Sequence, residues 1–430
     1  DGTLTLSAVN TYTNGTTVNR GTLQVSGDGV AGGSVSGLGT GTVTVCAYGC
    51  LTGIGTSDGV GARTSQVKYW LSSSTSDNFT IANAFNLQYG AVLHTENANN
   101  TYTGDFSLTE YIWSPSFTAR YTTTQTISGN ITGASLFTLS QSGSSGGTPT
   151  FVLSGASNSF SGGLTVTSGN LQAAGSSSTV FGSGVLTVSG GGNVTASSTT
   201  TGISVSGIAG NGNITLTNGN NNAITMTFTG SGTNSFSGTI TGLGSLVMNG
   251  SGRQIIYGTG NYSGTTTVNY GMLQFGSATS LYNGVTTSWT TTNISVAAGA
   301  TLAVNYGGAS DFSATNVGLL ISQLGASTGG FASGSYLGFD VSRASSSAAT
   351  YSNVITDTYS GTHALGINVI SGTLTLLPLS SDPTPVNTSN TFTGNILLTG
   401  GTLSLGNPGA IGTTGTLIFN GGILQFTSSN

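Results

Sequence analysis

Cleaving a glycosidic bond needs two carboxylates facing each other across a cleft, with a basic residue or bound cation beside them. The sequence has nine aspartates and two glutamates, with no Asp-Asp or Asp-x-Asp cluster. The calcium-binding pattern Gly-Gly-x-Gly-x-Asp is absent. Gly-x-Ser-x-Gly matches carry no information where glycine and serine are this frequent. His94 and His363 are the only histidines and read as surface or loop residues. No catalytic residue, metal ligand or cofactor motif is assigned, and the expectation is a protein that is not an enzyme.

Cys46 and Cys50 flank Ala47-Tyr48-Gly49. With one pair and no histidine nearby, zinc lacks ligands. A local disulfide would staple one turn, worth about 2 kcal/mol in the chain-entropy model, and would fit an oxidising compartment; two buried free thiols are the alternative.

One region is unusually rich in charge. Asp58, Arg63, Lys68, Asp77, His94, Glu96, Asp105, Glu110 and Arg120 are 9 of the 19 ionisable side chains, and Trp70 and Trp113 accompany them. Trp, Tyr and Arg anchor interfaces, so Trp70, Trp113, Arg63, Lys68 and Arg120 form a candidate face for a glycan or a neighbouring subunit. The plainer reading is a broad stretch of chain packed on the main body with solvated charges. Asp311, Asp340, Arg343, Asp357 and His363 make a weaker cluster assigned to long loops.

The elements that position these residues follow from composition. Charged residues are 4% of the chain, net charge is -5, and glycine numbers 71. Hydrophobic residues at 36% exclude disorder driven by charge. Six prolines without a glycine at every third position exclude collagen. Six basic residues cannot neutralise a useful run of phosphates, so no nucleic-acid partner is expected. Polar residues interrupt every apolar run, so no transmembrane segment is expected. The start at Asp1 reads as a processed or excised segment.

Short alternating runs such as Thr22-Leu23-Gln24-Val25 predict half-buried strands. Asn-Gly pairs at 14–15, 218–219, 249–250, 283–284 and 420–421 predict tight turns. No stretch shows a capped helical period, so the fold class is all-β. A phrase of Asn, any residue, aromatic, then Ser or Thr recurs, sometimes shortened, with its aromatic at Tyr12, Tyr102, Phe160, Phe236, Tyr262 and Phe392. These aromatics are expected to enter the core and stack between coils. The gaps between them are very unequal: Tyr262 follows closely on Phe236, whereas a long stretch separates it from Phe392. Propeller blades need a near-constant period, whereas a solenoid tolerates loops that expand locally. A parallel β-helix of irregular glycine- and threonine-rich repeats is therefore expected. Its segments read as 1–56 (N-terminal coils), 57–132 (elaborated coils or an insertion), 133–377 (central solenoid), 378–389 (a Pro-containing loop or hinge) and 390–430 (last repeat).

The phrase at 10–25, Asn-Thr-Tyr-Thr…Thr-Thr-Val…Gly-Thr-Leu-Gln-Val, resembles the autotransporter-associated β-strand repeat. The stretch 390–426, with Gly406-Asn407-Pro408-Gly409-Ala410-Ile411-Gly412, reads as the closest copy, and Tyr336-Leu337-Gly338-Phe339-Asp340 resembles a segment found between such repeats. The resemblance implies passenger-like β-helices exported to the surface of Gram-negative bacteria, and it carries no catalytic residues. Neither the first strand, Gly2-Thr3-Leu4-Thr5-Leu6, nor the last, Gly422-Ile423-Leu424-Gln425-Phe426-Thr427, reads as a solenoid cap. The leading expectation is an extracellular structural subunit or fibre segment that self-associates end to end. The alternative is an adhesin, a rod binding glycans or cell-surface components, and the distant one is a polysaccharide-degrading β-helix enzyme.

Overall fold

The computed structural model describes residues 2–26, 37–46, 65–70, 78–88, 90–96, 98–109, 114–143, 147–380 and 386–427. It divides into two compact units, Asp1–Ile224 and Thr225–Asn430. Each is a parallel β-solenoid, as the alternation and irregular repeat length predict. Within each unit, the ladders between described strands run parallel. The Asn-Gly pairs therefore close no antiparallel ladder between these strands: Asn218-Gly219 closes a single antiparallel bridge from Thr217 to Ala223, and Asn283-Gly284 lies in a 3₁₀ turn.

In the first unit the chain winds through three sheet faces. One face stacks Thr16–Val18, Val43–Cys46, Phe85–Gln88, Phe106–Thr109 and Ile131–Gly133. A second includes Ser65–Trp70, Val92–Glu96, Ser116–Ala119 and Phe137–Gln141, and a third includes Asn78–Ile81, Asn99–Tyr102, Thr124–Ile127 and Thr150–Leu153. Strands Leu164–Ala173 and Val185–Ala196 bend across two faces. Phe106 pairs with Phe85 on one side and Ile131 on the other, so successive coils run from position 85 to 106 and from 106 to 131.

This register stacks like on like. Val67, Leu93, Phe117, Leu139, Val166 and Val188 form one continuous column of fully buried side chains. Phe85 and Phe106 stack at 5.1 Å between centroids, and Tyr102 meets Phe85, Phe106 and Phe117 edge-on. Such pairs add about 0.5–1.5 kcal/mol beyond area burial. Close coil-to-coil approach also selects glycine. Gly133 has φ +116°, and a β-carbon there would land on the Leu108 carbonyl oxygen of the neighbouring coil.

In the second unit, a long ladder includes Thr233–Phe236, Arg253–Ile256, Met272–Phe275, Thr301–Asn305, Tyr336–Asp340, Gly366–Ser371, Ile396–Leu398 and Leu417–Phe419. Coil length varies here too. The coil from Thr233 to Arg253 is short, that from Met272 to Thr301 is longer, and that from Thr301 to Tyr336 is longer still. The added chain forms three short 3₁₀ turns between Ala278 and Ser288 and an α-helix, Ala314–Gln323. That helix departs from the expectation of none. Ser313 caps it, accepting from the Asn316 amide at 3.1 Å while Asn316 accepts from the Ser313 amide at 3.0 Å. An asparagine here does the work of the usual Glu or Gln of a capping box, and Gly318 inside the helix dilutes the signal further.

The aromatic phrase has a partner that the sequence reading left unassigned. Tyr102, Phe160, Phe236, Tyr262 and Phe392 are buried. Tyr12 departs from its expected core place: it is 40% exposed, its hydroxyl 2.8 Å from Thr16 Oγ1. It lies between Thr3–Leu6 and Thr16–Val18 in the first described coil, and no described strand stacks beyond that coil. In two copies, before Phe160 and Phe392, the asparagine two residues ahead of the aromatic acts as a bracket, whereas Asn100 bonds within its own coil to Thr95 and Tyr102. Asn158 accepts the Ile131 amide at 2.7 Å and donates to the Val180 carbonyl at 2.6 Å. Asn390 accepts the Ile355 amide at 2.8 Å and donates to the Ala410 carbonyl at 2.6 Å. One buried amide thus ties the preceding coil to the following one.

Candidate functional site

The charged face expected around 57–121 is built by register. Parallel pairing sets Lys68 beside His94 and His94 beside Thr118 on successive coils, with Trp70 opposite Glu96. Arg120 follows the strand Ser116–Ala119, and its side chain reaches back one coil. Lys68 Nζ lies 2.6 Å from Glu96 Oε2, and Arg120 Nη1 lies 2.6 Å from Glu96 Oε1. His94 Nδ1 is 2.7 Å from Thr118 Oγ1, and its Nε2 is 3.9 Å from Glu96 Oε2. Arg120 also lies 5.0 Å from the centre of the Tyr121 ring.

The electrostatics follow from that crowding. Glu96 is only 10% exposed, and burial by itself would raise its pKa. Hydrogen bonds from Lys68 and Arg120 outweigh burial and hold the carboxyl below its usual range. His94 is pushed down to about 4, first by burial, then by the Lys68 ammonium, with Arg120 adding and Glu96 opposing. At neutral pH the cluster therefore holds two cations, one carboxylate and a neutral imidazole. Its carboxylate is held by both cations.

Structure thus brings Lys68 and Arg120 together on Glu96; His94, expected on the surface or in a loop, instead lies buried in strand Val92–Glu96, because its ring packs between coils against Thr118. Trp70 contributes described backbone only, and Arg63 and Trp113 lie outside the described residues. Cys46 is disulfide-bonded; Cys50 lies outside the described residues.

A second polar network forms in the other unit. Arg253 Nη2 pairs with Asp340 Oδ2 at 2.6 Å, and its Nε donates to Gln274 Oε1 at 2.6 Å. Gln274 Nε2 donates to Asn305 Oδ1 at 2.6 Å and to Asp340 Oδ2 at 3.0 Å. Asp340 ends a strand buried on both faces, so assigning it to a long loop was incorrect. Burial pushes its pKa up, but bonds from Ser342 and Gln274 and the charge of Arg253 bring it below the usual carboxylate range. Asp357 is likewise fully engaged, its Oδ1 accepting from the Leu365 and Thr393 amides and its Oδ2 from Thr393 Oγ1. These carboxylates knit coils together.

Comparison with protein families gives one match. The passenger-associated-transport-repeat matches residues 1–25, 146–173 and 246–275. The three segments contain the aromatic phrases at Tyr12, Phe160 and Tyr262, whereas 390–426 lies outside them. Curated proteins and solved structures yield no match. The chain carries passenger-associated-transport repeats in three separate places and resembles the repeat-built passengers of autotransporters.

Proposed function

We propose that the chain is an extracellular structural protein, a β-solenoid segment of a Gram-negative cell-surface fibre whose coils stack end to end into filaments. The observation that carries this reading is the state of the first and last described coils. Leu4 shares the register of buried Leu23 but is 63% exposed, and Phe426 shares the register of buried Leu405 but is 67% exposed. A hollow of about 530 Å³ opens beside Leu4, Leu6, Val18 and Leu23. Thr3–Leu6 and Ile423–Phe426 each have one ladder partner among the described strands, leaving an open edge. Open edges and uncovered core residues favour another coil of the same kind. The passenger-repeat matches support export to the cell surface, and the structural use of Glu96, Asp340 and Asp357 supports a role other than catalysis.

Electron microscopy and sedimentation of the purified chain test this. Stacking predicts rods that lengthen with concentration and revert to single particles in Phe426→Lys. Dispersed single particles at high concentration would exclude end-to-end stacking of this chain.

A further inference from the structure

The second unit contains a cleft of about 680 Å³ outside both charged networks. Ser237, Tyr257 and Ser277 line one wall. Ser237 directly follows strand Thr233–Phe236 and Tyr257 follows Arg253–Ile256, while Ser277 stands just beyond Met272–Phe275. Those strands are ladder neighbours, so the wall presents one side chain per coil, about 4.8 Å apart. Thr279, Ser310 and Arg343 add two hydroxyls and a guanidinium from the wider turns.

Arg343 differs from the other arginine of this network-rich unit. Arg253 is bound to Asp340, whereas Arg343 makes no ion pair with a described residue. Its guanidinium lies 5.2 Å from the centre of the Tyr257 ring. Asp311 is within its electrostatic reach, but turns Oδ2 back onto the Gly308 amide at 2.8 Å. The turn after Arg343 holds Ser346 and Ser347 at φ +57° and +52°. Left-handed conformations in non-glycine residues cost free energy and gather at ligand-binding sites. A planar cation held over an aromatic ring, facing a ladder of hydroxyls, suits a ligand with carboxylates and many hydroxyls.

We propose that this cleft is a binding site for an acidic oligosaccharide, its carboxylate on Arg343, which the Tyr257 ring holds in place, and its hydroxyls on the hydroxyl ladder. The site would make the unit adhesive through its flank, independently of what covers the first and last described coils.

The test is calorimetric titration of the full chain with oligogalacturonate, with a neutral oligosaccharide of equal length and with an acidic peptide of equal charge. The expected result is saturable binding of the oligogalacturonate alone. Arg343→Gln and Tyr257→Ala should each weaken it on the order of 10- to 100-fold, the worth of a charge-assisted contact, while Arg20→Gln, in the first unit, leaves it unchanged. Circular dichroism of each variant verifies folding. No binding of oligogalacturonate, equal binding of the neutral sugar or the peptide, or unchanged affinity in Arg343→Gln would overturn the proposal.

Discussion

His94 should make the first unit sensitive to acid in a pH range where few other groups titrate. Its folded pKa is about 4 against an ordinary value of 6.5, so the unfolded chain binds its proton more readily. A base lowered by folding contributes full stability above the unfolded pKa and loses it as pH falls from 6.5 towards 4. At about 1.36 kcal/mol per pKa unit, proton linkage removes about 2 kcal/mol between pH 7 and pH 5, and about 3 kcal/mol by pH 4. Glu96 changes protonation below its ordinary 4.5, so the interval from pH 7 to 5 isolates the imidazole. The perturbation is His94→Gln, whose amide can still meet Thr118 Oγ1 but carries no proton to gain. Urea unfolding should lose about 2 kcal/mol from pH 7 to 5 in the native chain and much less in the variant. Hydrogen exchange of the Val92–Glu96 amides places the loss in this part of the stack. A His94 resonance titrating near 6.5, or equal losses in both proteins, would refute the reasoning.

Asn158→Ala orphans the Ile131 amide and the Val180 carbonyl together, so it should cost about 2–4 kcal/mol; a midpoint in urea within error of the native chain would contradict the bracket role. Gly133→Ala places a β-carbon against the Leu108 carbonyl at a positive φ, and a loss of more than about 1 kcal/mol is expected in the same assay. Arg253→Met strands Asp340, which is 5% exposed, and should cost about 3–5 kcal/mol at pH 7. Because Asp340 is held below the usual carboxylate range, its native stabilisation is present above the unfolded pKa and lost as pH falls through the folded one. The deficit of Arg253→Met should accordingly shrink in acid, which thermal unfolding at pH 7 and pH 3 would show.

The architecture could be read from alternation such as Thr22-Leu23-Gln24-Val25, because every coil repeats the demand for one apolar and one polar face. The buried aromatics at Phe160, Phe236 and Phe392 could be read for the same reason. Pairings across coils were harder. Lys68, His94 and Arg120 recur at one constant spacing close to a coil length, which a search for ionisable residues one coil apart would have found. Arg253 and Asp340 are 87 residues apart, across coils of unequal length, and no fixed period joins them. Helix Ala314–Gln323 escaped because its cap partner is Asn316. Tyr12 misled because the phrase specifies a corner, whereas burial depends on a coil stacked beyond it.

The asparagine bracket bears on how such a chain can change over time. Asn158 and Asn390 bond only to main-chain groups, Ile131 and Val180 for the one, Ile355 and Ala410 for the other. Every coil offers an amide and a carbonyl whatever its side chains, so the joint places no demand on its neighbours' identity. A duplicated coil that carries this asparagine brings its own fastener, and the turns between fasteners are free to lengthen. Lineages built this way can drift in sequence and gain a helix or a cleft in one coil while the stack stays in register.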